Sequence, residues 1–169
     1  MKFLKIIIVM FILLISVGAV CATDTTFGDN QDDLRTMQDE ICEAGDVKTF
    51  TDLDNDIKNS TDVLEILYDY KFNNGTDETD GITINKDNFV INGNGHTIDG
   101  NNQSGIFLIK ATNITINNLT FINANASRGS VFYINNNCLL TTNNVTFKDD
   151  FATDMGVIYL ARGIYISND

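Results

Sequence analysis

The chain has 169 residues, with 23 Asp and Glu against 11 Lys and Arg, no Pro, no Trp, one His and three Cys. Its length suits one core rather than two, and a net charge of −12 excludes a nucleic-acid binder, because few cations are present to neutralise phosphates. Three Cys are too few for a disulfide-dense scaffold, and one His is too few for a zinc site built on His pairs.

At the N-terminus, Lys2 and Lys5 flank the start of an apolar run, Ile6 to Val17, which leads into small residues around Val20-Cys21-Ala22. This pattern predicts a secretory signal peptide over residues 1–22, cut after Ala22. The run is short for a membrane span, so the protein is expected to be membrane-anchored only if the segment is retained. The mature chain is then secreted or held at the cell surface, with a net charge of −14. Residues 23–48 read as an acidic leader, disordered or weakly helical through Leu34, Met37 and Ile41. Cys42 and Cys138 survive cleavage, with 95 residues between them. Either they pair as a disulfide or they are two small apolar residues, Cys138 being buried at a strand end.

A firmer helix is predicted in TFTDLDNDIKNS, residues 49–60. Thr51 can cap it, Asp52 and Asp54 suit its N-terminus, and Phe50, Leu53 and Ile57 form one apolar face. The string Asp52-x-Asp54-x-Asp56 has the opening of a calcium loop. Ile57 stands where that loop needs Gly and Val63 where it needs Glu, so the acids read as a solvated helix face.

Charge then divides the mature chain. Residues 23–80 hold 17 acids and 4 bases, whereas residues 81–169 hold 6 acids, 5 bases and 17 Asn. In the second half the chain repeats itself. The apolar runs at Ile106, Val131 and Val157 start 25 and then 26 residues apart; NNLTF at Asn117 recurs as NNVTF at Asn143, 26 on; NFVIN at Asn88 and NITIN at Asn113 are 25 apart. The repeat contains only strand-length alternations such as Ile114-Thr-Ile116 and Leu119-Thr-Phe121. At about 3.3 Å per residue, three short strands with turns use up one period and bring the chain back one strand spacing higher. The prediction is an all-β fold: a right-handed parallel β-helix of about three coils, period 25–26, with a short N-terminal capping helix, over residues 49–169. Ile114, Ile116, Leu119 and Phe121 should point inward and stack from coil to coil. Asn suits the bends, because it tolerates left-handed backbone angles, and in-register Asn can form ladders. Gly105, Gly129 and Gly156, each just before an apolar run, are expected at bends with unusual backbone angles.

The segment NFVINGNGHTIDGNNQSGIFLIKATNITINNLTFINANA, followed by GSVFYI and the repeated NNVTF, resembles the opening coils of the adhesin-like protein family of methanogenic archaea. These are β-helix surface proteins, similar to polymorphic outer-membrane protein repeats. The resemblance covers residues 47–169 and rests on the order of elements: signal peptide, short helix, first strand pair (VLEILYDYKFN and GITIN), GNGHTIDG turn. It implies a non-catalytic, extracellular role in binding a cell surface or glycan, and it carries over no catalytic, cofactor or metal residues. Members of that family run on for many coils, while this sequence stops inside what the period makes the next coil. A truncated or fragmentary member is therefore expected, with strand addition or stacking at the open C-terminal end.

Two candidate chemistries compete with the binding reading. His96 with Asp99, in GNGHTIDG, is an imaginable acid-base or metal pair, although an Asn-Gly turn accounts for the same residues. Asp149, Asp150 and Asp154, with Arg128 or Arg162, are the carboxylates and cations that a β-helix polysaccharide lyase or esterase would use. Seven N-x-S/T triplets begin at Asn59, Asn74, Asn102, Asn113, Asn118, Asn125 and Asn144. Glycosylation is expected at the loop sites Asn59, Asn74 and Asn102.

Overall fold

The computed structural model describes residues 47–168. The expected signal peptide and nearly all of the leader, Cys42 included, lie outside the described residues. In chain order the elements are β1 (Lys48–Thr49), α1 (Phe50–Asn59), β2 (Val63–Glu65), β3 (Tyr70–Lys71), β4 (Ile82–Ile84), β5 (Val90–Asn92), β6 (Thr97–Asp99) and β7 (Phe107–Ile109). They continue with β8 (Ile114–Ile122), β9 (Asn125–Arg128), β10 (Phe132–Ile134), β11 (Leu139–Lys148), β12 (Phe151–Met155), β13 (Ile158–Leu160) and β14 (Ile164–Asn168). The described strand pairs are all parallel. They build an eight-stranded sheet from β1 to β14, a four-stranded sheet in the order β13-β10-β7-β4, and the pair β12-β9.

The fold is an all-β parallel β-solenoid of about five turns with one short helix. Register offsets of 25 and 26 residues join β4, β7, β10 and β13 and join β5, β8, β11 and β14, while the pairings of β1, β2, β3 and β6 depart from that period. The expected count of about three coils is too low. The first turns, carrying β1, β2 and β3, are invisible to a repeat search because they pair unlike residues: Lys48 with Tyr70, Tyr70 with Ile98, Glu65 with Asn92.

Alternation places the core inside each turn. Ile114, Ile116, Leu119 and Phe121 of β8 are all buried, and β11 sets Leu140, Thr142, Val145 and Phe147 beside them in register. The inward phase changes within each strand at one Asn, Asn118 in β8 and Asn144 in β11, where φ is 47° and 52°. A left-handed residue there bends the strand so that both halves still face the core. Nine of the eleven non-Gly residues with positive φ among the described residues are Asn, as the bend argument requires. Of the three predicted bend glycines, Gly129 and Gly156 have positive φ, at 56° and 42°. Gly105 does not, and that expectation is corrected. At Gly129 a Cβ would also lie 2.4 Å from the Phe132 carbonyl oxygen.

Aromatic rings carry the packing from one turn to the next. Phe121 meets Phe107 at 5.8 Å, Phe132 at 5.1 Å and Phe147 at 5.9 Å between ring centres. Across the strands, from turn to turn, an amide column runs on the outside. Asn168 Nδ2 donates to Asn143 Oδ1 (2.8 Å), Asn143 to Asn117 (2.6 Å), Asn117 to Asn92 (2.9 Å) and Asn92 to Glu65 Oε1 (2.6 Å).

Helix α1 lies against β1, β3 and β4, burying the predicted face of Phe50, Leu53 and Ile57. Its N-cap is Thr49, not Thr51. The Thr49 hydroxyl accepts from the Asp52 backbone N–H, and the Asp52 carboxylate accepts from the Thr49 N–H, a complete capping box. Asp77 decides between the two threonines by accepting from the backbone N–H groups of Phe50 (3.0 Å) and Thr51 (2.9 Å), so the helix has begun before Thr51. At the other end, Lys86 Nζ donates to the carbonyls of Ile57, Lys58 and Ser60, placing a cation where the helix leaves its acceptors free.

Candidate functional site

In the four-stranded sheet the outer residues of successive turns stand in register: Thr83, Leu108, Tyr133 and Tyr159. The inner neighbours on either side, such as Phe132 and Ile134, are fully buried, which fixes this column on the outer face. The rings of Tyr133 and Tyr159 meet edge on, with centres 4.9 Å apart. Between this column and β9 lies a groove of about 500 Å³, lined by Leu108, Lys110, Tyr133 and Asn135 on the sheet side and by residues 125–128 on the other. Lys110 and Arg128 bring positive charge and Asp80 brings negative charge to its walls. Arg128 Nε stands 4.0 Å from Asp154 Oδ2 with both side chains exposed, a contact too loose to occupy the guanidinium donors. An aromatic face beside forked donors and amide groups is the combination that receives a polyhydroxylated ring, its C–H face on the tyrosine and its hydroxyls on the polar groups.

His96 and Asp99 do not form a pair. His96 Nδ1 lies 3.1 Å from Asp69 Oδ1, which also accepts from the Thr97 N–H. Asp99 is bound to Lys71 at 3.0 Å. Burial opposes ionisation of Asp99, and hydrogen bonds from Asn123 Nδ2, the Asn101 N–H and Lys71 overcome it, holding the carboxyl below its ordinary range. GNGHTIDG forms a bend through Asn94 and Gly95, both at positive φ. The strands on either side of it, β5 and β6, both lie parallel on β8.

The carboxylates considered for lyase chemistry have separate surroundings. Asp150 Oδ1 accepts from the Ala124 N–H at 2.8 Å, tying two turns together. Its Oδ2 is buried without a hydrogen-bond partner among the described residues. Burial pushes this carboxyl up to about 6, against the hydrogen bonds from Ala124 and Lys148 that favour its ionised form. Asp149 and Arg162 are exposed bend residues at positive φ, 56° and 85°. In α1, Asp52 serves the capping box, Asp54 pairs with Lys58, and Asp56 accepts from the Tyr70 hydroxyl (2.7 Å).

Cys138 is buried next to β11 with no disulfide partner among the described residues, its Sγ 3.6 Å from the Asn136 carbonyl oxygen. The N-x-S/T sites fall into two groups. The side-chain amides of Asn59, Asn74 and Asn102 are exposed, with no partner among the described residues. Asn59 ends α1 rather than standing in a loop, and Asn74 and Asn102 lie in turns. By contrast Asn113, Asn125 and Asn144 use Nδ2 to bond Asn88 Oδ1, the Asn102 carbonyl and Asn118 Oδ1, and Asn118 is the acceptor in the last of these.

Comparison with protein-family models, with curated proteins and with solved structures finds no match for this chain. The groove beside Tyr133 is the site that sequence reasoning missed. Its signal was present: two tyrosines 26 residues apart at the middle of equivalent apolar runs, with Lys110 and Asn135 one residue past the end of two of them.

Proposed function

We propose that this protein is a non-catalytic, adhesin-like solenoid of the cell exterior that binds a glycan in the groove beside Tyr133. The observation that carries this reading is the register pair Leu108-Tyr133 facing donors and amides across a groove of about 500 Å³, with Tyr159 packed against Tyr133 beyond it. The separate hydrogen-bond partners of Asp99, Asp150 and His96 support binding over acid-base chemistry, which needs its groups converging on one point. The signal-peptide pattern supports an extracellular location, and among the described residues no helix is long and apolar enough to cross a membrane. Resemblance to the archaeal adhesin-like family agrees with this role. Glycans on Asn59, Asn74 and Asn102 would leave the groove clear, since none of the three lines it. A further parallel strand would add at the outer edge of β14, which has no pair among the described residues.

Screening the full chain on a glycan array, followed by calorimetric titration of the best soluble oligosaccharide, tests the proposal. Tyr133→Ala is expected to weaken binding about tenfold or more, equivalent to about 1.4 kcal/mol, with secondary structure unchanged by circular dichroism. Absence of binding by the parent protein, or equal binding by the variant, rejects the groove. Release of new reducing or unsaturated ends would show an enzyme instead.

A further inference from the structure

Three Asn-Gly pairs occur in the described chain, at Asn74-Gly75, Asn92-Gly93 and Asn94-Gly95. This dipeptide is the most reactive setting for spontaneous loss of a side-chain amide, because a residue without Cβ leaves its backbone nitrogen open to the neighbouring carboxamide. The structure treats the three differently. Asn92 Nδ2 is held by Glu65 Oε1 (2.6 Å), while the Gly93 N–H donates to the Asn117 carbonyl (2.7 Å). Asn94 Nδ2 is held by Glu65 Oε2 (3.1 Å) and the Ile66 carbonyl (3.0 Å), while the Gly95 N–H donates to the Asn118 carbonyl (2.9 Å). In both pairs the nucleophile is locked into the backbone contacts between turns and the electrophile is fixed on a carboxylate. Asn74 is exposed in a turn with no side-chain partner among the described residues, and Gly75 N–H has only the exposed Asn73 Oδ1 at 3.0 Å.

We propose that Asn74 is a self-modification site, converting to aspartate and isoaspartate in the folded protein while Asn92 and Asn94 stay intact. The Gly75 backbone nitrogen attacks Asn74 Cγ, and the Cγ–Nδ2 bond breaks. The Gly75 amide proton leaves with that nitrogen as ammonia, and a five-membered succinimide closes. Water then opens the ring at the Cα carbonyl, giving isoaspartate, or at Cγ, giving aspartate. One water is consumed, one ammonia is released, and no redox partner is needed. Asn74 also begins an N-G-T triplet. A sugar on Nδ2 replaces the small leaving group, so glycosylation and conversion compete for the same nitrogen. The proposal stands on these contacts and is independent of the glycan-binding reading.

The test is peptide mapping by mass spectrometry, with isoaspartate detection, on the full chain made without glycosylation and held at mildly alkaline pH. Asn74 is expected to convert first, and Asn92 and Asn94 only after denaturant is added. Gly75→Ala is expected to slow conversion strongly without unfolding, since its Cβ meets only Asn73 Oδ1 at an ordinary 3.4 Å. An intact Asn74 in aged, folded protein overturns the proposal. Equal conversion of all three in the folded state overturns it as well, because the contacts around Glu65 would then protect nothing.

Discussion

In the later turns many paired positions carry the same residue: Phe107 beside Phe132, Thr120 beside Thr146, Asn117 beside Asn143. Residues 47–81 are held by unlike groups: a carboxylate on helix N–H groups through Asp77, an ammonium on helix carbonyls through Lys86, and a Glu65 carboxylate on two amides. A repeating column can extend indefinitely, whereas a set of unlike contacts ends it. The difference teaches that the helical end of this solenoid is closed by charge and capping over a small apolar patch, and its interior by shape.

Truncating each region should therefore fail differently. Phe121→Ala, in the middle of the ring column, is expected to cost about 3–5 kcal/mol and to lower hydrogen-exchange protection across β7, β8, β10 and β11 together. Leu53→Ala, under the helix, is expected to cost about 2–5 kcal/mol, but its protection loss should be confined to α1 and the first turns, because each turn of a solenoid leans only on its neighbours. Uniform loss in both variants would show one cooperative block and erase the distinction.

Smaller changes sharpen it. Asn117→Ala removes one donated and one accepted amide bond of the outer column and should cost about 1–2 kcal/mol, measured by urea denaturation. Thr49→Ala should cost about 1 kcal/mol through the lost cap, with the effect localised to α1.

The smallest effect is a pH slope. The Asp150 carboxyl is raised from 3.8 to about 6 in the folded state, so folding favours its protonated form. Its contribution is fully present below 3.8 and is lost as pH rises through about 6. Asp52, Asp77 and Asp99 are lowered and act with the opposite sign, their stabilisation being lost in acid. Urea midpoints should fall across the window between 3.8 and about 6, and Asp150→Asn should flatten that fall.

The regular turns were legible because their columns repeat in sequence as well as in space: Leu119-Thr-Phe121 over Val145-Thr-Phe147 is one motif read twice. The early turns were not, since Lys48 against Tyr70 and Glu65 against Asn92 share no letter. The cap was ambiguous for a local reason. Thr49 precedes Asp52 as Thr51 precedes Asp54, two identical capping patterns, and only Asp77, distant in the chain, selects the first. The groove lay half in view, because alternation put Tyr133 and Tyr159 outside, but the wall opposite comes from β9, whose Asn125–Arg128 has no apolar period to mark it.

The amide column has one more consequence. Each Asn donates toward the helical end, and Asn92, Asn117 and Asn143 accept from the far end, so four bonded side-chain dipoles point the same way along the solenoid axis. Chained amides polarise one another, and the positive pole of this string terminates on Glu65. Hydrogen bonds from Asn92 and Asn94 hold that carboxyl below its ordinary range. The solenoid thus has an electrical direction as well as a structural one. A strand joining at β14 would meet the carbonyl pole, Asn168 Oδ1, and would need to bring a donor.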